Sequence, residues 1–143
     1  MTFLLKVNMP HVVAEVAAAF AAYERALANN DTILIDALVW EGSRTVRHGL
    51  NDTQHGSEEV RTFSSSHHCV STEIMGETTT ITTFGYDYAT VNTEFDRESL
   101  DIHGCRTVVW ARVGPDSQLE AGLHCGWRIV AAHESVISRR SAP

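Results

Sequence analysis

Long apolar runs are missing from this chain. No stretch approaches the roughly 18 consecutive apolar residues that cross a bilayer, so no membrane partner is expected. Positive charge is also scarce: 11 Lys and Arg stand against 18 Asp and Glu, for a net charge of −7. Arg139-Arg140 is too short to offset this locally, and the balance argues against a nucleic-acid partner. The three cysteines, Cys69, Cys105 and Cys125, are odd in number and lack CxxC spacing. They fit reduced thiols. The start of the chain has neither a basic leader nor an apolar core of signal-peptide length, and the expected location is the cytoplasm.

Several chemical signatures are absent too. There is no Gly-x-Ser-x-Gly elbow and no Gly-rich phosphate loop. His67-His68-Cys69, His103-x-Cys105 and His124-Cys125 lack the spacing of a zinc site, and adjacent strand residues point to opposite faces. Neither a metal nor a cofactor is expected.

What is present reads as one globular domain. The chain has 143 residues, 43% hydrophobic and 20% charged, and a single domain is expected over 1–143, with its core in 8–137 and a loose tail at 138–143. Asn8 is placed to cap a helix that Pro10 opens. Val12, Val16, Ala19, Phe20, Tyr23 and Leu27 follow the i, i+3, i+4, i+7 spacing of one helix face, which leaves Glu15 and Glu24 on the remaining surface. Asn29-Asn30 ends this helix, and Asp31 caps a short second one. Thr45 to His48 reads as a short strand closed by Gly49 and a polar loop. Gly56-Ser57-Glu58-Glu59 opens a third helix that fades at Ser64-Ser65-Ser66.

The remainder reads as strands near 71–83, 88–96, 104–113 and 124–137, with turns between them. In the last strand, alternation places Trp127, Ile129, Ala131, His133 and Ser135 on one face. That face is apolar at its start and hydrogen-bonding at its end. Helices first and sheet afterwards is an α+β plan, with a curved antiparallel sheet wrapped over the long N-terminal helix as a cone, beside two shorter helices. The outer face of the sheet needs cover, and a second copy would supply it; a homodimer is expected.

The order of elements, Tyr23 on the first helix and the terminal Gly126-Trp-Arg-Ile-Val-x-x-His133-x-Ser135 resemble the NTF2-like (SnoaL-like) superfamily. Asn8-Met-Pro-x-Val-Val-Ala-Glu-Val, Tyr23-Glu-Arg-Ala-Leu-x-x-Asn-Asp, Arg44-Thr-Val-Arg47-x-Gly49, Ile81-Thr-Thr-Phe-Gly85, Ala89-Thr-x-Asn-Thr-Glu-Phe95 and the closing strand resemble its AtzH/HpxZ branch. The resemblance implies a cofactor-free amidohydrolase that removes one carboxylate from 1,3-dicarboxyurea to leave allophanate, in cyanuric acid catabolism. It also implies that Tyr23 and Arg47 are required, and it suggests a functional link to a partner amidase. The chain departs from the branch pattern at His48, His55, Ser64-Ser65-Ser66 and Cys105-Arg106, near the expected cavity mouth, which puts the identity of the substrate in question.

Each candidate has a plainer alternative. A tyrosine on an apolar stripe is usually a core residue whose hydroxyl finds one partner. Arg47 fits a carboxylate substrate by bidentate hydrogen bonding, or a structural salt bridge to an acid such as Glu94. His133, Ser135, Trp110 and Asn92 are the candidates for contact with a small carboxylate substrate; periodicity leaves Asn92 either in the cavity or at a subunit interface. Two other functions stay open: a non-catalytic metabolite-binding or amidase-partner module, and an isomerase or cyclase, for which Glu94 would be the base.

Overall fold

The computed structural model describes residues 4–66, 74–97, 101–114 and 122–138. His67, His68, Cys69, the first residues of the expected strand at 71–83 and the tail beyond 138 lie outside them.

Helix α1 runs Pro10–Ala28. Proline opens it without loss of a hydrogen bond, because the first-turn N–H groups have no partner within the helix. Asn8 is not its cap. It adopts φ 58°, its Oδ1 accepts from the Thr83 N–H at 2.9 Å and its own N–H donates to the Thr83 carbonyl. Asn8 thus fastens the start of α1 to the sheet. Helix α2, Thr32–Leu38, is capped by the Asp31 side chain accepting from the Leu34 N–H, and α3 spans Ser57–Ser66, continuing through the serine run.

The strands are β1 Val46–His48, β2 Thr53–His55, β3 Ile74–Phe84, β4 Tyr88–Arg97, β5 Ile102–Arg112 and β6 Trp127–Ser138. They form one sheet in the order β2-β1-β6-β5-β4-β3. Neighbours are antiparallel except β1 and β6, which run parallel. Residues 53 and 54, read as loop in the sequence, are strand. Among the described residues, three α-helices and a curved, unclosed six-stranded sheet make the expected α+β cone.

The core lies between α1 and the concave face. Val12, Val16, Ala19 and Phe20 from α1 meet Ala89, Val91, Val108, Trp110, Trp127 and Ile129 from the sheet. Each buried Val, Ile or Phe side chain among these stabilises by roughly 1.5–3 kcal/mol. Gly104 faces the Phe95 ring so closely that a side chain there would collide with it, which lets Phe95 lie flat across β5. Among the described residues, no helix is long and apolar enough to cross a membrane.

One irregularity decides which side chains face inward. Val109 pairs with Ala131 but Trp110 pairs with Ile129, so Val130 is an extra residue, a β-bulge in β6. A one-residue slip reverses every side chain beyond it. Past Val130 the concave face therefore continues through Ala132 and Glu134, and not through Ala131, His133 and Ser135 as unbroken alternation predicts.

Candidate functional site

Where α1 ends, the sheet and the helices diverge and leave a cavity of about 660 Å³. Tyr23, Glu24, Leu27 and Ala28 line it from α1, and Val60, Phe63 and Ser64 from α3. Arg47 from β1, Glu77 from β3, Arg97 from β4, Arg106 from β5 and Ile129, Ala132 and Glu134 from β6 complete the wall.

Tyr23 and Arg47 both line this cavity. The Tyr23 ring stands edge-on to Trp110, with centroids 6.2 Å apart, and that packing fixes its direction. Arg47 is held on several sides. Its Nη1 donates to Gln54 Oε1 at 2.8 Å and to Asp52 Oδ1 at 3.3 Å, its Nη2 lies 3.8 Å from Glu134 Oε2, and its guanidinium sits 4.0 Å from the centre of the Phe63 ring. Gly49 leaves room for this arrangement: a Cβ there would lie 2.5 Å from Arg47 Nη1 and 2.7 Å from Asp52 Oδ1.

Of the four remaining candidates, His133 lines the same cavity, and Trp110, Asn92 and Ser135 do not. Trp110 is fully buried in the core and supports Tyr23 from behind. Asn92 is exposed and accepts from Thr107 Oγ1 at 2.7 Å. Thr107 pairs with His133, and His133 with His48, so these four make one row on the convex face. His133 and His48, with ring centroids 5.8 Å apart, both line the cavity as well. Ser135 pairs with Cys105, which pairs with Glu94, again on the convex side. The bulge at Val130 is the cause for His133 and Ser135. Glu94, the acid considered both as a base and as a partner for Arg47, lies 3.2 Å from His103 Nε2; Arg47 pairs with Asp52 and Glu134 instead.

Several cavity residues escaped the sequence reading. Glu24 belongs to the inward stripe, four residues after Phe20 and three before Leu27, a spacing that was visible but was assigned to the surface because of its charge. Its carboxyl hydrogen-bonds the Glu77 side chain. Burial first, and then the neighbouring Glu77, raise its pKa from 4.5 to about 7. Glu77 reaches the cavity from an irregular stretch of β3 between Met75 and Thr78, which no periodicity discloses. Arg106 stands 5.6 Å from the centre of the Phe95 ring. Gln54, buried on β2, orients Arg47 from a three-residue strand too short to carry a pattern.

For metal binding, the described residues offer one trio, Glu94, His103 and Cys105, whose ligand atoms lie within 4.8 Å of one another on the convex face. Both His103 nitrogens are already engaged, Nδ1 with Asp96 at 2.8 Å and Nε2 with Glu94 at 3.2 Å. These carboxylates raise the His103 pKa.

A helix packed in a curved sheet, with an open cavity holding a phenol, guanidinium groups and carboxyls, defines the class: an NTF2-like cone domain with a polar cavity. Solved structures agree. A cystatin-like fold protein from Burkholderia xenovorans LB400 is 41% identical over 94% of this chain and 98% of its own, with a TM-score of 0.82. A protein of unknown function from Pectobacterium atrosepticum SCRI1043 is 37% identical over 92% and 95%, with a TM-score of 0.79. An NTF2-like superfamily protein from Salmonella enterica, 17% identical over 92% and 95% with a TM-score of 0.63, shares the fold. No curated protein matches the chain. The AtzH-like family model matches residues 5–140, and the chain belongs to the AtzH-like family.

Proposed function

We propose that this protein is a cofactor-independent amidohydrolase of small carboxylated ureas, which converts 1,3-dicarboxyurea to allophanate. The observation that carries the reading is that Tyr23 and Arg47, far apart in the chain, line one cavity. Arg47 holds one substrate carboxylate through the edge of its guanidinium that Gln54 and Asp52 leave. The terminal carbamate C–N bond breaks, the departing carboxylate leaves as carbon dioxide or its hydrate, and the nitrogen takes a proton. Tyr23 donates to the atom that becomes negative as this bond breaks; one well-placed donor of this kind contributes about 3 kcal/mol. The protein acts as a homodimer joined through the convex face of the sheet, which light scattering of the purified chain tests by its mass.

The test is to incubate the purified protein alone with freshly generated 1,3-dicarboxyurea and to follow allophanate against the spontaneous background. Formation clearly above background supports the reading. A rate equal to background, with turnover only after a partner amidase is added, identifies a non-catalytic partner module instead. A second reading, an isomerase or cyclase, is favoured by one observation: Glu24 supplies the inward acid with a pKa near neutrality that such chemistry needs. Exchange of solvent deuterium into a carbon acid, with no action on the urea, is the result that would select it.

A further inference from the structure

The cavity has more cationic groups than one carboxylate requires. Arg47 is engaged by Asp52, Gln54, Glu134 and Phe63. Arg106 is not comparably held. Its Nε is buried without a hydrogen-bond partner, and among the described residues it forms no ion pair within 4.0 Å. It still lines the cavity. A guanidinium in a recess with no counter-ion of its own is a waiting anion site, since leaving it unpaired costs desolvation that a bound carboxylate recovers.

The groups facing Arg106 explain why no acid of the protein pairs with it. Glu24 from α1 and Glu77 from β3 line the cavity with it; the Arg106 charge acts on Glu24, while Glu24 and Glu77 share a side-chain hydrogen bond. An ionised carboxylate can only accept, so that bond exists only while a proton lies between them. Arg97 from β4 and Glu134 from β6 complete the charged surroundings. Arg106 pairs in register with Glu134 on β6, and Arg47 pairs with Ala132 two residues away. Strand spacing and rise then put the two arginine Cα atoms roughly 12 Å apart, on the same concave face. Their extended side chains leave a gap that suits a ligand with two carboxylates a few bonds apart.

We propose that Arg106, with the carboxyls Glu24 and Glu77 beside it, is a second anion subsite of the cavity, whose hold on a carboxylate those two side chains govern. The proposal rests on the functional reading only in taking Arg47 as the first anchor; no bond of the ligand need break. With the proton held between them the two carboxyls carry one negative charge and not two, and the guanidinium of Arg106 is left to the ligand. Once the proton is lost, two negative carboxylates claim Arg106 and repel the ligand. The Glu24 value near 7 sets this change close to neutrality.

Calorimetric titration with succinate, a dicarboxylate with no bond to hydrolyse, and with butyrate, its singly charged counterpart of equal length, tests it. About one unit below the Glu24 value of 7, the protein should bind succinate about tenfold more tightly than butyrate, the worth of one charge-assisted contact. About one unit above it the preference should fall severalfold. R106Q should remove the preference at both pH values and leave butyrate binding unchanged. E24Q, whose amide keeps a donor and cannot ionise, should hold the low-pH preference at high pH. A succinate preference that survives R106Q overturns the proposal. If R106Q does not fold, E24Q decides: a preference that still falls with pH overturns it. Hydrolysis of dicarboxyurea without any succinate preference would sink the subsite alone, whereas a preference without hydrolysis would sink the enzymatic reading alone.

Discussion

At the scale of single residues, the site depends on how side chains are held. Arg47 is positioned by space as much as by partners, because Gly49 keeps clear the volume its guanidinium and Asp52 occupy. Gly49→Ala should displace Arg47 while leaving the core intact. The expected result in a turnover assay is a KM raised about tenfold with kcat changed less, as loss of a substrate anchor predicts; an unchanged KM would show that Arg47 holds no substrate. Glu15 plays a different part. Its Oε1 accepts from Arg112 Nη2 at 2.6 Å and from the Trp127 indole at 3.0 Å. Burial alone raises its pKa, but these two hydrogen bonds together with the charges of Arg112 and His11 outweigh it and leave the carboxyl below its ordinary value. Glu15→Ala leaves the largely buried Arg112 and Trp127 short of a partner. Denaturant unfolding should show a loss of about 2–3 kcal/mol.

At the scale of elements, much of the fold was legible. The spacing of Val12, Val16, Phe20 and Tyr23 disclosed α1, Asp31 disclosed the start of α2, and the alternating strands disclosed the sheet. Tyr23 could be placed on the inward stripe, and Arg47 on a strand with an inward alternative. The failures share a cause: local irregularity invisible to a strict period. Val130 inserts one residue and sends His133 and Ser135 to the convex side. The shift between Met75 and Thr78 accompanies the entry of Glu77 into the cavity. Charge also misled, since Glu15 and Glu24 were assigned to the surface although each meets a long-range neighbour inside, Arg112 for one and Glu77 for the other. The parallel pairing of β1 with β6, which carries Arg47 to the cavity, joins segments more than eighty residues apart and leaves no local trace.

At the scale of the whole molecule, stability and cavity chemistry are linked through Glu24. In the unfolded chain this carboxyl titrates near 4.5, and in the folded protein near 7. The folded state therefore holds the proton more tightly, so the contribution to stability is complete below 4.5 and is lost as pH rises through 7. Glu24→Gln removes that dependence. It should match the parent near the unfolded value and exceed it above the folded one, by about 1 kcal/mol after allowance for solvent screening. Melting temperatures across this window check the sign; a variant less stable than the parent at high pH would contradict it.

The central claim is that Tyr23 and Arg47 act together on one small anion within this cavity. The most direct measurement is the initial rate of allophanate formation from 1,3-dicarboxyurea by the parent protein and by Tyr23→Phe, which removes one oxygen and keeps the ring that packs on Trp110. The account predicts a folded variant whose catalysed rate falls about a hundredfold. A variant with the rate of the parent would contradict it.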